Sequence, residues 1–372
     1  MQTDTPTASV TPVAHSPVPA MPTMTQLTPE LLAVLHGPVL DETDLFTLDD
    51  FFELAEVDEL RAQAQDRRRA DAILLACAAE LPALHPNRAA LLALLGGAIV
   101  EGGADPRILF PAALARLGAW LPELAPFCAR AVEDDDDGAT DDERRDWHAA
   151  RQRLDALDGR QGREIDALRD AVDTLVLPLM AMLMRDRDNH GDLVADTALQ
   201  ALLERIADND SLPFDQLHFL CAASALSYEP ECVVVLPASG TGFVASAHAV
   251  NNTFHAFTLL QRLIGEHART LRVGKPIAPR SGDEDQDSSE FHWLQAHAYA
   301  NGVLVDNLAL AWGEASLRSH RKHGKCVLIA LETEEGIKRS WNGFNGVCHP
   351  AQNPSVTLVR FLTPEEVAAY LV

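Results

Sequence analysis

Residues 231–250, ECVVVLPASGTGFVASAHAV, mark the point at which the predicted fold changes from helices to a sheet. ECVVVLP and FVASAHAV are rich in residues that favour strands, and the ASGTG connector between them has two glycines, which is typical of a β-hairpin. Before Tyr228 apolar residues recur at three- and four-residue spacing, whereas after it the period is two. The sequence therefore predicts a boundary at Tyr228 between a helical part and a sheet-centred part.

The segment before this boundary predicts a helical array. Its sequence is rich in Ala and Leu, with apolar faces separated by polar turns. Thr47 is followed by Asp49 and Asp50, a pattern typical of a helix start, because carboxylates complement the positive end of the helix dipole. We expect single helices over TLDDFFELAEVDELRAQAQ (47–65) and over LVADTALQALLERIA (193–207), among others.

The segment after the boundary predicts further strands and two helices. Asn251 or Asn252 is placed to cap a helix over residues 253–267, and Thr363 opens a capping box with Pro364 at the first helical position. The other predicted strands are TLRVG (270–274), FHWLQAHAYA (291–300), VLVDNLALAW (303–312), CVLIALE (326–332) and SVTLVRFL (355–362). Runs of strands with helices at only two places favour an α+β fold with a mixed or antiparallel sheet.

Three segments follow from these patterns. Residues 1–27 are rich in Pro and Thr and predict a disordered tail, residues 28–227 predict an all-α domain, and residues 228–372 predict an α+β domain. No apolar stretch reaches the ~18–20 residues needed to span a bilayer.

The charge of the chain bounds its partners. Fifty-five Asp and Glu against thirty Lys and Arg give a net charge of −25, which repels nucleic-acid phosphates and anionic membranes. The sequence therefore predicts no nucleic acid and no membrane as partner. A protein partner, attracted if it is basic, and a merely solvated acidic surface are the two interpretations that remain.

The cysteines indicate the compartment. Six cysteines occur without a Cys-x-x-Cys pair, and several lie in apolar runs such as ILLACAAEL, where cysteine behaves as a small hydrophobic residue. This usage favours the reducing cytoplasm. We identify no cofactor-binding motif and expect no cofactor.

Residues 319–326, SHRKHGKC, raise four alternatives. A phosphate loop is rejected because Ser319 replaces the first glycine, Cys326 replaces the hydroxyl residue, and a strand rather than a helix follows. A zinc site could use His320, His323 and Cys326, with Cys348 and His349 as further ligands, yet the spacing matches no common structural zinc pattern. The preferred interpretation is a basic turn leading into a strand buried on both faces, with Cys326 packed inside.

The basic turn is also a candidate recognition site. Its cations Arg321, Lys322 and Lys325 are placed to pair with an acidic loop of the same chain or to bind an anionic ligand or partner.

A catalytic thiol is the fourth alternative. Cys348 is a better candidate than Cys326, because it lies in a glycine- and proline-punctuated loop beside His349. The base would come from His320, His297 or His292, oriented by Asp306. The competing interpretation is that these residues only pack or form turns.

The stretch GIKRSWNGFNGVCHP (336–350) has two Asn-Gly pairs that predict tight turns around two aromatic residues. This loop either packs onto the sheet or presents Arg339, Trp341 and Phe344 as a recognition surface, since binding sites favour these residue types.

The leading functional prediction is a non-enzymatic, bacterial-type cytosolic interaction or regulatory protein. Its acidic helical domain would serve for docking and its C-terminal domain for recognition. The alternative is a thiol- or histidine-dependent hydrolase or transferase with its site in the C-terminal domain.

Overall fold

The computed structural model describes residues 27–37, 46–132, 138–274, 289–295, 299–300, 303–304, 316–339 and 353–371. Helices make up the part of this set that precedes residue 227. Their bounds are α1 (Pro29–Leu35), α2 (Leu48–Phe52), α3 (Ala55–Gln63), α4 (Arg67–Glu80), α5 (Pro86–Glu101), α6 (Phe110–Leu124), α7 (Asp141–Asp155), α8 (Gly159–Leu183), α9 (Arg187–Ala195), α10 (Thr197–Ala207) and α11 (Leu217–Ser224).

Polar caps set several of these helix starts. The Thr47 hydroxyl accepts from the Asp50 amide while the Asp50 carboxylate accepts from the Thr47 amide, and Thr140 and Glu143 form the same reciprocal pair. Each box satisfies two amides that have no partner within the helix. The predicted cap at Thr47 is therefore confirmed.

Two helices that the periodicity predicts as single are divided. Leu54, with φ −66° and ψ 130°, separates α2 from α3, and the flanking Phe51 and Val57 are both fully buried. Asp196 separates α9 from α10, and its side chain accepts from the Leu199 amide as an N-cap. Apolar spacing continues across both breaks because both halves face the same core.

Helices α5 and α8 pack closely against each other. Gly97 of α5 lies against Pro178 of α8, where a Cβ added to Gly97 would stand 2.7 Å from the proline Cβ and 2.8 Å from its Cα. One continuous buried cluster, from Leu27 to Leu226, surrounds this crossing. The absence of a side chain at Gly97 thus sets the distance between the two helices.

The rest of the described chain contains strands and three helices. The bounds are β1 (Ser227–Leu236), β2 (Thr241–Val250), α12 (Thr253–Glu266), α13 (Ala268–Leu271), β3 (Ser289–Gln295), β4 (Tyr299–Ala300), β5 (Val303–Leu304), β6 (Arg321–Lys322), β7 (Lys325–Arg339), β8 (Ser355–Phe361) and α14 (Pro364–Tyr370). Asn252 caps α12 and Thr363 forms a capping box at α14, as predicted.

The main sheet has the order β3-β7-β1-β2-β8, with β6 paired to β7, while β4 and β5 form a separate ribbon. Strands β1 and β2 form the predicted antiparallel hairpin, and β1 pairs with β7 in parallel. The sheet is therefore mixed, and the predicted α+β fold is confirmed.

The two faces of this sheet are covered by different helices. On one face, α12 packs against a cluster that includes Cys232, Val234, Phe243 and Cys326. On the other face, Val367 of α14 joins a smaller cluster with Val233, Val235, Val244, Val327 and Ile329. Strands β1 and β7 are apolar on both sides for this reason.

One predicted strand is wrong. Residues 270–274, TLRVG, contain the end of α13 and a residue of left-handed backbone, Arg272 with φ 52°. The side chain of Leu271 is buried in the core although it lies on this short helix. The apolar residue that suggested a strand is therefore buried without one. Of VLVDNLALAW, Val303–Leu304 form β5, and the remainder lies outside the described residues.

The helical and sheet-centred parts bury separate apolar clusters on either side of Tyr228. The domain bounds themselves stay a prediction. Across the described ranges, every helix is too short or too polar to traverse a lipid bilayer.

Candidate functional site

The basic hairpin, residues 318–325, leads into strand β7. Strand β6 pairs antiparallel with the start of β7, and His323 and Gly324 form the two-residue turn between them. These two residues have φ of 52° and 77°, the left-handed backbone that such a tight turn requires. The predicted basic turn before an interior strand is confirmed, and Cys326 is fully buried, as predicted.

Arg321 of β6 pairs with a buried carboxylate on strand β1, although both strands pair with β7 and not with each other. Its guanidinium donates two hydrogen bonds to Glu229 of β1, one of them 3.1 Å from Nη1 to Oε2. Glu229 is only 7% exposed, and a carboxylate out of water requires a charged partner. Arg318 in turn donates from Nη2 to the Leu226 carbonyl oxygen at 2.9 Å. Arg321 thus holds the hairpin against β1, and Arg318 holds it against the end of the helical part.

Replacing Arg321 by alanine is expected to lower the free energy of unfolding by about 1–2 kcal/mol. A fully buried pair broken on one side costs roughly 3–5 kcal/mol, and the value is smaller here because water reaches the arginine side, which is 43% exposed. The matched control is Arg262→Ala, which breaks the exposed Arg262–Glu266 pair and should change stability by less than about 0.5 kcal/mol. Urea denaturation of both variants measures the difference, and equal effects would contradict a special role for Glu229.

The two lysines of the hairpin also contact the chain itself. Lys322 Nζ donates to the Tyr370 carbonyl oxygen at 2.8 Å, next to the C-terminal end of α14. Lys325 Nζ donates to Glu231 at 2.6 Å, and this contact raises the pKa of Lys325. The basic turn thus pairs with carboxylates of strand β1 rather than with a loop, whereas the acidic residues 283–287 lie outside the described residues, so the predicted pairing with an acidic loop stays a prediction. Recognition of an external partner by Arg321, Lys322 and Lys325 stays a prediction.

A buried polar turn between β2 and α12 lies beside the hairpin. His320 Nε2 and Thr253 Oγ1 share a hydrogen bond of 3.0 Å. The Asn252 side chain accepts from the His255 amide at 2.9 Å, and the Asn251 amide donates to His255 Nδ1 at 3.2 Å. Because Nδ1 accepts, the His255 imidazole is neutral, and burial lowers its pKa to about 4.

A second buried histidine lies where the helical part contacts the sheet. His190 of α9 has its ring centroid 4.8 Å from that of Tyr228, whose ring also meets His248 edge-on at 4.9 Å. The Arg187 guanidinium lies 5.5 Å from the Tyr228 ring. Burial, with Arg318 and Arg187 nearby, lowers the pKa of His190 to about 4. This histidine is therefore neutral at physiological pH.

Two thiols meet within the sheet. Cys232 of β1 and Cys326 of β7 are opposite each other in the parallel register, with Sγ atoms 3.4 Å apart. The hydrogen bond with Cys326 and burial together hold the pKa of Cys232 well above its usual range. Cys232 is therefore a poor nucleophile in the closed sheet.

The three residues of the zinc alternative do not converge. His320 bonds to Thr253, Cys326 faces Cys232, and His323 is exposed with its ring 6.2 Å from that of Tyr370. Within the described ranges, no group of three or more His, Cys, Asp or Glu side chains is placed to hold a metal ion.

Several predicted site residues lie outside the described residues: Cys348, His349, His297, Asp306, Trp341 and Phe344. Arg339 ends strand β7, and its backbone pairs with Ser289. The catalytic-thiol alternative and the aromatic recognition loop both depend on these positions, so both stay predictions.

Sequence reasoning missed the residues that contact the hairpin. Glu229 and Glu231 lie in YEPEC, just before the valine run, and their charges complement those of RKHGK. The opposite charges of these two segments were a usable signal for a contact between them. The sequence does not show which residues pair, because that depends on β1 and β7 being neighbours in the sheet. Cys232 and His190 carried no signal of their own.

Comparison of the chain with protein-family models, with curated proteins and with solved structures found no match.

Proposed function

We propose that this chain is a non-enzymatic interaction protein whose acidic helical part binds a basic protein partner, while its α+β part acts in recognition. The observation that carries this proposal is the uneven charge. Residues 28–227 contain 39 Asp and Glu against 18 Arg and no Lys, a net charge of −21. Residues 228–372 contain 15 acidic and 12 basic residues, a net charge of −3.

One run of this unbalanced charge lies along the described helices α2 and α3. Six carboxylates occur between residues 49 and 59 with no intervening cation, and Arg61 then pairs with Asp58. Of the six, Asp50 is used in the capping box. We call Glu53, Glu56 and Glu59 the acidic strip, and the structure leaves Glu53 and Glu59 exposed and Glu56 half-buried.

Such a surface favours a basic partner for an electrostatic reason. A cluster of carboxylates attracts a positively charged surface and raises the rate at which the two proteins meet. Salt screens this attraction over about 8 Å at physiological ionic strength. Within the described chain Arg61 pairs with Asp58 rather than with the strip, and Glu59 accepts a hydrogen bond from the Gln63 side chain, so few intramolecular contacts need to break before the strip binds. The proposal places the protein in a reducing cytoplasm, and the five described cysteines, which are all free thiols, support this.

Affinity capture from the native cell tests the proposal. The full chain and the variant Glu53→Gln/Glu56→Gln/Glu59→Gln are immobilised in parallel, and bound proteins are identified by mass spectrometry at low and at physiological salt. We expect a basic protein that the full chain retains and that the strip variant loses several-fold, with weaker binding at higher salt.

The matched control neutralises three carboxylates that are spread over the helical part, Glu30→Gln/Glu123→Gln/Glu204→Gln. It changes the net charge equally but leaves the acidic strip intact. Retention of the same partner by this control supports a defined docking surface. Equal losses in both variants, or a bound set without basic proteins, would favour a merely solvated acidic surface.

A further inference from the structure

The Cys232 and Cys326 thiols are the closest pair of cysteines in the described chain. They occupy directly opposed positions on neighbouring parallel strands, with a sulfur–sulfur distance of 3.4 Å. Paired strands lie about 4.8 Å apart, within the range of roughly 4.4–6.8 Å between Cα atoms that a disulfide requires. A bond between the two sulfurs thus needs rotation of the side chains rather than movement of the strands.

The other described cysteines lack this arrangement. The Cys128 thiol donates to the Leu124 carbonyl oxygen, the Cys221 thiol lies 3.7 Å from the Leu203 carbonyl oxygen, and Cys77 is buried within α4. Cys326 also lies 3.5 Å from a backbone carbonyl oxygen, that of Leu317, but among the described cysteines only Cys232 and Cys326 face another thiol. The sheet pair is therefore distinguished by geometry and not by cysteine content.

We propose that Cys232 and Cys326 form a redox-active dithiol that oxidises to an intramolecular disulfide between strands β1 and β7. A hydroperoxide is the oxidant. One thiolate attacks the peroxide oxygen, which gives a sulfenic acid and, with hydrogen peroxide, a first water molecule. The sulfur of the second thiol then attacks the sulfenic sulfur, so that the S–S bond forms and the S–O bond breaks. The hydroxyl group leaves with the proton of the second thiol as a second water molecule.

Access to the sheet interior controls this oxidation. Cys232 is 2% exposed and Cys326 is fully buried, and α12 covers the face on which they lie. The thiolate needed for the first step is disfavoured in that environment. Oxidation is therefore slow in the closed protein and faster when β1 and β7 separate transiently.

Once formed, the disulfide joins residues 94 positions apart in the sequence. The closed segment contains β2, α12 and β3, and β1 and β7 can no longer separate at this point unless the disulfide is reduced. The cross-link restricts the unfolded chain and should stabilise the oxidised form. Exposure to peroxide would thus make the sheet more resistant to unfolding.

Mass spectrometry of the full chain tests this proposal. The reduced protein is treated with hydrogen peroxide in native buffer and in urea below the unfolding midpoint. We expect an intact mass lower by two hydrogen atoms, a peptide cross-link between Cys232 and Cys326, and recovery of the original mass with dithiothreitol. The urea midpoint of the oxidised protein should be higher than that of the reduced protein.

The variants Cys232→Ala and Cys326→Ala should each lose this change, whereas Cys77→Ala, which removes a buried thiol elsewhere, should retain it. Three results would overturn the proposal: unchanged thiols in both buffers, oxygen addition without a cross-link, or a disulfide between other cysteines. The wild-type peptide map decides among them even if an alanine variant fails to fold.

Discussion

Lowering the pH from 7 to 5 is expected to reduce the free energy of unfolding by about 4 kcal/mol, roughly half of it from each of His190 and His255. Burial lowers the pKa of each from 6.5 to about 4. Above pH 6.5 both are neutral in the folded and unfolded states. Below it the unfolded chain binds protons that the folded chain does not, so stability falls as the pH passes from 6.5 towards 4.

The structure indicates what protonation would disrupt. A charged His255 could no longer accept the Asn251 amide at Nδ1, and a charged His190 would add a positive charge beside Arg318 and Arg187. Asp173, whose pKa is raised by burial, acts in the opposite direction, and as one carboxyl it offsets only part of the effect.

Urea denaturation between pH 7 and pH 5 measures this dependence. His190→Gln and His255→Gln should each remove a large share of the slope of stability against pH, and His85, whose pKa burial also lowers, contributes to the remainder. His148→Gln, at an exposed position of α7, serves as the matched control for replacing a histidine. A wild-type stability that is flat between pH 7 and 5 would contradict the neutral buried state of both histidines.

Replacing Gly97 by alanine is expected to lower the free energy of unfolding by about 2–3 kcal/mol. The new Cβ would stand 2.7 Å from Pro178 Cβ and 2.8 Å from its Cα, so backbone rather than a flexible side chain must move. Alanine has a higher helix propensity than glycine by about 1 kcal/mol. The variant is destabilised because the cost of the clash exceeds this gain. Separation of α5 from α8 would also loosen the apolar cluster that surrounds them.

Gly118→Ala is the matched control for this prediction. Gly118 lies inside helix α6, and an added Cβ would meet no atom within 4 Å. This variant should gain about 0.5–1 kcal/mol, because helix propensity acts there without a clash. Thermal and urea unfolding should therefore shift in opposite directions for the two variants. A Gly97→Ala protein as stable as the wild type would show that α5 and α8 adjust freely.

Prediction from sequence succeeded where structure depends on neighbouring residues. Thr47, Asn252 and Thr363 cap helices, and residues 231–250 form a hairpin, because each pattern is complete within a few positions. It failed at TLRVG, because five residues are too few to distinguish the period of a helix from that of a strand. It also missed the helix breaks at Leu54 and Asp196, because the apolar residues on both sides of each break face the same core and keep the helical spacing.

The sequence by itself determined the helical part, the change of period after Tyr228, the α+β class and the location of most of the negative charge, since each is a property of local spacing or composition. Only the tertiary structure decided that β7 pairs in parallel with β1. That pairing brings Arg321 to Glu229, Lys325 to Glu231 and Cys326 to Cys232, residues more than ninety positions apart. Local patterns carry no information on which distant strands become neighbours, because that choice depends on how both faces of the sheet are buried.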